Sequence, residues 1–339
     1  MRRTLLVAIA TAVATLLLVE AASATLVFSR FSRTTSIWAA NDDGSGQRLL
    51  ARNAATPQLT PDGQTVFFQT TGGRRVDLKQ MSITGGPAKT VVRNLQYGIQ
   101  TVSPTGAHVL VNTGPLNGAQ KLVLLDVATG TTRTIATGYF YGASFSPDGT
   151  QFAYSRARTV NYKAPNDVFV AAVAGGQPRN LTNDGHSAYP VWGPTQIAFS
   201  RWRLHYGPKH AESGPAYNIS VINPDGSGRR DVTNVKVPYL LSGLIATDWS
   251  ADGTKLLTQF TGQDTNYAVG VDVASGQTHT IGPKTELGFN GVSLTADGST
   301  VLGTLGPPEQ VGNVVTIPFA GGAATTVVRR AFEPFWTVP

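Results

Sequence analysis

Residues 143–149 read Ala-Ser-Phe-Ser-Pro-Asp-Gly, and residues 151–155 read Gln-Phe-Ala-Tyr-Ser. Pro147 presets the backbone for the second position of a turn, Asp148 tolerates the tight conformation, and Gly149 supplies a positive φ. The apolar residues on either side favour strands, so the stretch predicts a β-hairpin. A single hairpin is common in proteins, but this one recurs along the whole chain and therefore decides the fold.

The strand residue Phe145 has counterparts at intervals of 42 to 57 residues, most of them followed by the same turn signal. Three more strand-like runs follow each turn, and a second Gly-rich turn, such as residues 174–176, joins the last two. Repeats of about 40–45 residues with four strands are typical of β-propeller blades. With Phe145 itself, the seven equivalent positions are Leu59, Val102, Phe145, Trp192, Trp249, Leu294 and Trp336.

The two ends of the repeat array complement each other. The chain enters the array at the second strand of a blade and ends on an innermost strand, residues 334–337. We therefore predict an all-β, seven-bladed propeller, with six blades as the alternative. Pairing of the last strand with the blade built from residues 25–50 closes the ring and removes exposed sheet edges.

Residues 1–24 have the composition of an export signal. Arg2 and Arg3 precede an apolar run at residues 5–19, and Ala-Ser-Ala at residues 22–24 is a cleavage signature. The run is shorter than the roughly 20 residues of a membrane span, although an uncleaved N-terminal anchor is the alternative. We expect an exported protein, secreted or in the cell envelope or periplasm, with the propeller at residues 25–339 and no membrane span after cleavage.

Composition excludes several classes of function. The chain of 339 residues has no cysteine, which rules out disulfides, thiolate metal sites and a cysteine nucleophile. A formal net charge of +7 with 14% charged residues is a mild basic excess. Basic blocks typical of nucleic-acid binding are absent from the sequence, so we expect no nucleic-acid partner. We also expect a monomer.

The turn at residues 146–149, the strands at residues 151–155 and 168–171, and the Arg-Asn-Leu-Thr ending at residues 179–182 resemble TolB-type, WD-repeat-like β-propeller repeats. The resemblance covers residues 25–339 and implies a propeller, although a fold does not fix a function. TolB carries an α/β domain before a six-bladed propeller, and larger relatives append a serine hydrolase domain. We expect neither domain here, and no G-x-S-x-G motif occurs.

The long insertions at residues 156–166 and 201–216 fall on one face of the predicted ring, where binding residues usually lie. Arginine and aromatic residues dominate binding hot spots, so we predict a surface there for a protein, or for an acidic glycan or peptide. In the alternative interpretation, Trp202 packs beneath its own loop and the cations are solvated. The predicted ligand-binding residues are Arg156, Arg201, Trp202, Arg203, Tyr206 and Lys209.

Three histidines on the same face, His186, His205 and His210, are weak candidates for a metal site because neutral imidazole is a common ligand. Their spacing is not diagnostic, so we predict no cofactor and no catalytic residue. Asp248 is predicted to line the central channel. The predicted function is a non-catalytic binding or scaffold module. The alternative is a metal-assisted carbohydrate-active enzyme, because some propeller lyases that resemble this fold use histidine-rich metal sites.

Overall fold

The computed structural model of the protein describes residues 25–115, 118–158, 165–203, 216–237, 241–262, 266–283, 288–306 and 312–337. These residues form 26 β-strands, nearly all paired antiparallel, and no α-helix occurs among them. They accordingly contain no helix with the length and hydrophobicity that a bilayer crossing requires.

The first and last strands of the chain lie in one antiparallel sheet of four strands. Leu26 pairs with Trp336 and Val27 with Phe335, and a bulge follows. The order β26-β1-β2-β3 agrees with the predicted pairing of the two ends. The strands are β1 (Thr25–Phe31), β2 (Thr35–Asn41), β3 (Arg48–Arg52) and β26 (Phe332–Thr337).

Two strands of 14 residues, β7 and β10, join three successive meanders into one sheet of ten strands. In each, the first part pairs with the preceding strand and the second part with the following one. The sequence predicted two separate strands at each place. The strands are β4 (Ala54–Leu59), β5 (Thr65–Thr70), β6 (Val76–Ser82), β7 (Lys89–Val102), β8 (His108–Thr113), β9 (Gln120–Asp126), β10 (Thr132–Phe145), β11 (Gln151–Ala157), β12 (Asn166–Ala172) and β13 (Arg179–Asn180).

The remaining strands form a sheet of eight and a sheet of four. In the larger one, a single parallel contact between Tyr217 and Gly243 links two meanders. The larger sheet contains β14 (Ser187–Trp192), β15 (Ile197–Arg203), β16 (Ala216–Ile222), β17 (Arg230–Asp231), β18 (Leu241–Trp249), β19 (Lys255–Gly262), β20 (Asn266–Asp272) and β21 (Thr278–Ile281). The smaller contains β22 (Phe289–Leu294), β23 (Thr300–Leu305), β24 (Asn313–Pro318) and β25 (Thr325–Val328).

Side-chain hydrogen bonds explain why the recurring turn uses Ser or Thr with Asp. Ser146 Oγ donates to Asp148 Oδ1 at 2.6 Å, and the same carboxylate accepts the Thr150 amide at 3.0 Å. Ser250 donates to Asp252 in the same way. These bonds satisfy turn amides locally, so the repeated aspartates have a structural role.

Hydrophobic clusters fill the spaces between consecutive sets of strands. One contains Phe67 of β5 and Val109 of β8. Another contains Leu26 of β1 and Leu302 of β23. The beginning and the end of the described chain therefore share a core as well as a sheet.

Arginine side chains form hydrogen bonds between neighbouring sets of strands. In each case an arginine at the start of an outer strand donates to the carbonyl oxygen just beyond the third strand of the next set. Such bonds from a charged donor are stronger than neutral ones, and they account for part of the basic excess. The pairs are Arg48 with Ile83 at 2.8 Å, Arg133 with Val173 at 2.6 Å and Arg230 with Val273 at 2.9 Å.

The connections sort onto two sides of the molecule. The Thr71 amide, in the β5–β6 connection, donates to the Asn53 carbonyl at the β3–β4 corner at 2.7 Å. Gly114, in the β8–β9 connection, donates to the Asn94 carbonyl at the bend of β7. We call this side the loop face, and the opposite side, which carries the Ser/Thr-Asp turns, the turn face.

Candidate functional site

The predicted site residues that the structure describes lie on the loop face, around the junction of β11–β13 with β14–β17. Arg156 is near the end of β11, and Arg201 and Trp202 are near the end of β15. Arg203 ends β15, but its side chain lies outside the described residues. Tyr206, Lys209, His205 and His210 also lie outside them.

Arg201 forms ion pairs rather than standing free. Its Nε lies 3.0 Å from Asp184 Oδ2, and its Nη1 lies 3.6 Å from Asp231 Oδ1. Arg229 also binds Asp184 Oδ2 and donates to the Thr182 carbonyl. The Arg201 charge is therefore compensated within the protein, and its assignment to ligand binding stays a prediction.

Asp184 organises this junction. Its Oδ1 accepts the His186 amide and the Ser187 hydroxyl, each at 2.9 Å. Burial alone raises the pKa of Asp184, but hydrogen bonds from the His186 amide, Arg229 and Ser187 outweigh it and hold the pKa below its usual value. Asp184 is therefore a charged, rigid centre. We call the group formed by Asp184, Arg201 and Arg229 the Asp184 junction.

Trp202 is 7% exposed, and its ring lies edge-on to the His186 imidazole with 4.2 Å between centroids. Its backbone amide donates to the His186 carbonyl at 3.0 Å. A stacking role for Trp202 requires the indole to be uncovered, and it stays a prediction. The buried His186 Nδ1 has no hydrogen-bond partner. Within the described ranges, no group of three or more His, Cys, Asp or Glu side chains could hold a metal ion.

Arg156 lies across a glycine on the neighbouring strand. A Cβ added at Gly138 would come within 3.1 Å of Arg156 Cγ and Nε, so any larger residue would displace this side chain. The Arg156 Nε is enclosed and has no hydrogen-bond partner. The binding role of Arg156 remains a prediction.

The sequence reasoning missed a group of tyrosines beside this junction. The Tyr141 and Tyr189 rings lie 6.1 Å apart, and the Tyr189 and Tyr217 rings lie 5.9 Å apart. Tyr189 has a φ of 53°, at a bulge in β14, and Gly142 allows the two strands to approach closely. Burial raises the pKa of all three phenols. Ring contacts between distant segments leave no sequence signal.

Asp248 lies between β18 and β22, and its predicted position in a central channel stays a prediction. Its Oδ1 accepts the Trp249 amide and its Oδ2 accepts the Leu294 amide of β22, both at 2.8 Å. Burial raises the pKa of Asp248 to about 6, against the opposing effect of these two hydrogen bonds. Ser144 has a similar role, because its Oγ accepts the Trp192 amide at 2.7 Å. The bonds to Asp248 are thus those of a structural bridge.

An open depression of about 420 Å³ lies elsewhere, on the turn face beside β5 and β6. It is lined by Gln64, Gln80 and Lys89 among others, and by none of the predicted site residues.

No protein-family model matches the chain, and the search of curated proteins finds no match. Solved structures do match. TolB from Acinetobacter baumannii is 12% identical with a TM-score of 0.55, over 93% of this chain and 66% of that one. The chain thus spans slightly less than two thirds of that protein's length.

Two further structures cover more of their own length. An oligogalacturonate lyase in complex with manganese is 15% identical with a TM-score of 0.59, over 91% of this chain and 86% of that one. The β-propeller domain of the Trilobed protease from Pyrococcus furiosus, described as having an open velcro topology, is 10% identical with a TM-score of 0.64, over 90% and 94%. At such identities these likenesses show the all-β propeller fold alone, similar to TolB at that level.

Proposed function

We propose that the strands form seven blades in a ring closed by pairing of β26 with β1. The described residues contain seven buried hydrophobic clusters, and each joins two consecutive four-strand sets. The cluster shared by β1, β2 and β23–β25 joins the last set to the first. Packing between every neighbouring pair, including the two ends of the chain, is what a closed ring requires.

The function that we propose for this ring is a non-catalytic binding or scaffold module, exported through residues 1–24 and monomeric. Its partner is a protein, or an acidic peptide or glycan, bound at the loop face. One observation supports the location most directly: the Asp184 junction gives a rigid base at the point where the two longest connections, at residues 156–166 and 201–216, leave the strands. Long connections on a rigid base are the usual setting of binding residues.

The test compares two double variants in affinity capture from the native envelope or culture medium. Arg156→Gln with Arg203→Gln removes two cations at this location. Lys79→Gln with Lys89→Gln removes two cations on β6 and β7, away from this junction. We expect the first to lose at least about tenfold of the captured acidic partner, since bonds to charged groups are the stronger ones, and the second to capture normal amounts. Equal capture by both, at equal thermal stability, would contradict the proposed site.

The second candidate function is a metal-assisted, carbohydrate-active enzyme. It is supported by the likeness to an oligogalacturonate lyase with bound manganese and by the buried, unpartnered Nδ1 of His186. Metal analysis of the purified protein tests it. A stoichiometric ion that is lost in His186→Gln favours the enzyme, and the absence of such an ion favours the binding module.

A further inference from the structure

Exposed arginines are concentrated on the loop face where the two ends of the chain meet. They belong to β1–β3, to the following set β4–β7 and to the preceding set β22–β25, and all of them are exposed. Their sequence positions are scattered over some 300 residues, so no basic block in the sequence indicates this group. We call this group the arginine arc: Arg33, Arg52, Arg74, Arg75, Arg93, Arg329 and Arg330.

Three members of the arc occupy the same corner in three consecutive sets of strands. Arg52 precedes Asn53 at the β3–β4 corner, and Arg93 precedes Asn94 at the bend of β7. Arg329 precedes Arg330 at the β25–β26 corner. The second residue of each corner has a positive φ, at 51°, 66° and 53°. The arginines are therefore repeated structural positions, one in each of three consecutive sets of strands.

Arg330 departs from this pattern in an informative way. Its amide donates to Asn313 Oδ1 at 3.0 Å, as the Asn94 amide donates to Asp77 Oδ1 at 3.1 Å. Asparagine tolerates a positive φ better than other residues apart from glycine, whereas arginine is disfavoured there. An arginine held in a sparsely populated conformation, next to another arginine, is a cost to folding that a binding role explains.

Contacts between the sets hold the arc together. Arg30 donates to the Arg329 carbonyl at 3.3 Å and to Gln47 at 2.7 Å, so the β1 hairpin that carries Arg33 lies against the β25–β26 corner. Ser36 of β2 is the cross-strand partner of both Arg30 and Arg52.

The second side of the arc is joined in the same way. The Thr71 amide donates to the Asn53 carbonyl at 2.7 Å, which places the Arg74–Arg75 connection beside the Arg52 corner.

The charge of the arc is hardly compensated inside the protein. Among the described residues only Arg93 has an acidic partner, Asp77 at 3.6 Å, and its side chain is 78% exposed. Glu333, the other nearby carboxylate, accepts the Ser29 hydroxyl and the Thr56 amide. By contrast, Asp148, Asp252 and the other turn aspartates lie on the opposite face. This part of the loop face thus carries a largely uncompensated positive field that attracts polyanions.

We propose that the arginine arc is a binding surface for an extended anionic glycan, one whose sugars carry carboxylate or sulfate groups. It is separate from the Asp184 junction and does not depend on the partner proposed there. The guanidinium group of arginine binds such oxyanions through paired hydrogen bonds. The corners repeat from one set of strands to the next, in a direction that a linear polymer can follow.

The apolar content of the surface favours a glycan over other polyanions. Phe31, which is 52% exposed beside Arg33, is one of two large hydrophobic residues exposed among the described residues, and the other is Leu49. Protein interfaces need buried aromatic anchors, and single-stranded nucleic acid needs a series of stacking rings. A single aromatic face beside spaced arginines suits a sugar ring packed by its C–H groups, with its charges on the arginines.

Binding to immobilised dextran sulfate and alginate tests the proposal, with neutral dextran, poly-glutamate, single-stranded DNA and anionic lipid vesicles as competing probes. The wild-type protein should bind at least one anionic glycan about tenfold more tightly than every competing probe, and less tightly as NaCl is raised. The two glycan arms distinguish sulfate from carboxylate. No binding to either glycan, or tighter binding to poly-glutamate, DNA or vesicles, would overturn the proposal.

Two sets of variants locate the surface. Arg33→Gln/Arg52→Gln/Arg74→Gln should weaken glycan binding about tenfold, and the matched triple Lys89→Gln/Lys121→Gln/Lys236→Gln should weaken it less than about twofold, because exposed charge contacts are individually weak. Arg330→Asn should weaken binding without lowering the melting temperature, since asparagine fits that corner. Equal effects of both triples would contradict the location. Both triples leave Asp184, Arg201 and Arg229 unchanged, so a loss confined to the arginine triple assigns glycan binding to the arginine arc and not to the Asp184 junction.

Discussion

Asp248 shows at the scale of one residue how a buried carboxyl group links stability to pH. In the unfolded chain it ionises near its usual pKa of 3.8, and in the folded chain near 6, chiefly because of burial. Between these values the folded state binds more protons than the unfolded state. The free energy of unfolding therefore contains a term that falls as the pH rises through this window and is then level.

Asp248→Asn removes this titration. Comparing denaturant unfolding at pH 4.5 and 7.5, we expect the stability of the variant relative to wild type to improve by about 2 kcal/mol at the higher pH, since one pKa unit corresponds to about 1.4 kcal/mol. Asp252→Asn is the matched control, because the Asp252 pKa of about 2 lies below the window. A pH-independent difference for Asp248→Asn would show that the carboxyl ionises normally.

Single residues also show where prediction from sequence ends. The turn roles of Ser146 and Asp148 follow from the sequence because their partners lie within a few positions. The pairing of Arg201 with Asp184, and the corner occupied by Arg330, depend on segments that only the fold brings together. The sequence predicted Arg201 as a binding residue because nothing in the sequence indicates that Asp184 lies beside it.

At the scale of the strand, the arginines that reach the next set of strands act as clamps. Arg230 opens β17 and donates to the carbonyl of Val273, just beyond β20, at 2.9 Å. The bond ties an outer strand, which has few other contacts, to its neighbour. The sequence predicted the strands themselves, since alternation and turn signals are local, but not these clamps.

Arg230→Met keeps the aliphatic stem and removes this bond. We expect it to lower the free energy of unfolding by about 1 kcal/mol, within the usual range for a partly exposed hydrogen bond. Arg75→Met is the matched control, because Arg75 is exposed and has no ion pair among the described residues; surface changes of this kind usually stay within about 0.5 kcal/mol. Urea unfolding of both variants measures the difference, and equal stabilities would exclude a clamp.

At the scale of the whole molecule, the fold could be predicted because one hairpin repeats and because the chain starts and ends on complementary strands. The joining of an outer and an inner strand into the single long strands β7 and β10 could not be predicted. It depends on a bend within each strand, at Asn94 in β7 and at the equivalent position in β10. The arginine arc was also invisible, because its members come together only when β25 lies beside β1. Both the arc and the proposed ring therefore depend on the junction of the two ends.

That junction can be measured directly because the chain has no cysteine. Thr25 and Thr337 are cross-strand partners in β1 and β26, at the roughly 5 Å separation of Cα atoms that a disulfide bridges. Under mild oxidation, Thr25→Cys/Thr337→Cys should form an intramolecular disulfide in nearly every molecule, seen by peptide mass spectrometry, while Thr132→Cys/Thr337→Cys should not. Free thiols or only intermolecular disulfides in the first variant would contradict the closed ring.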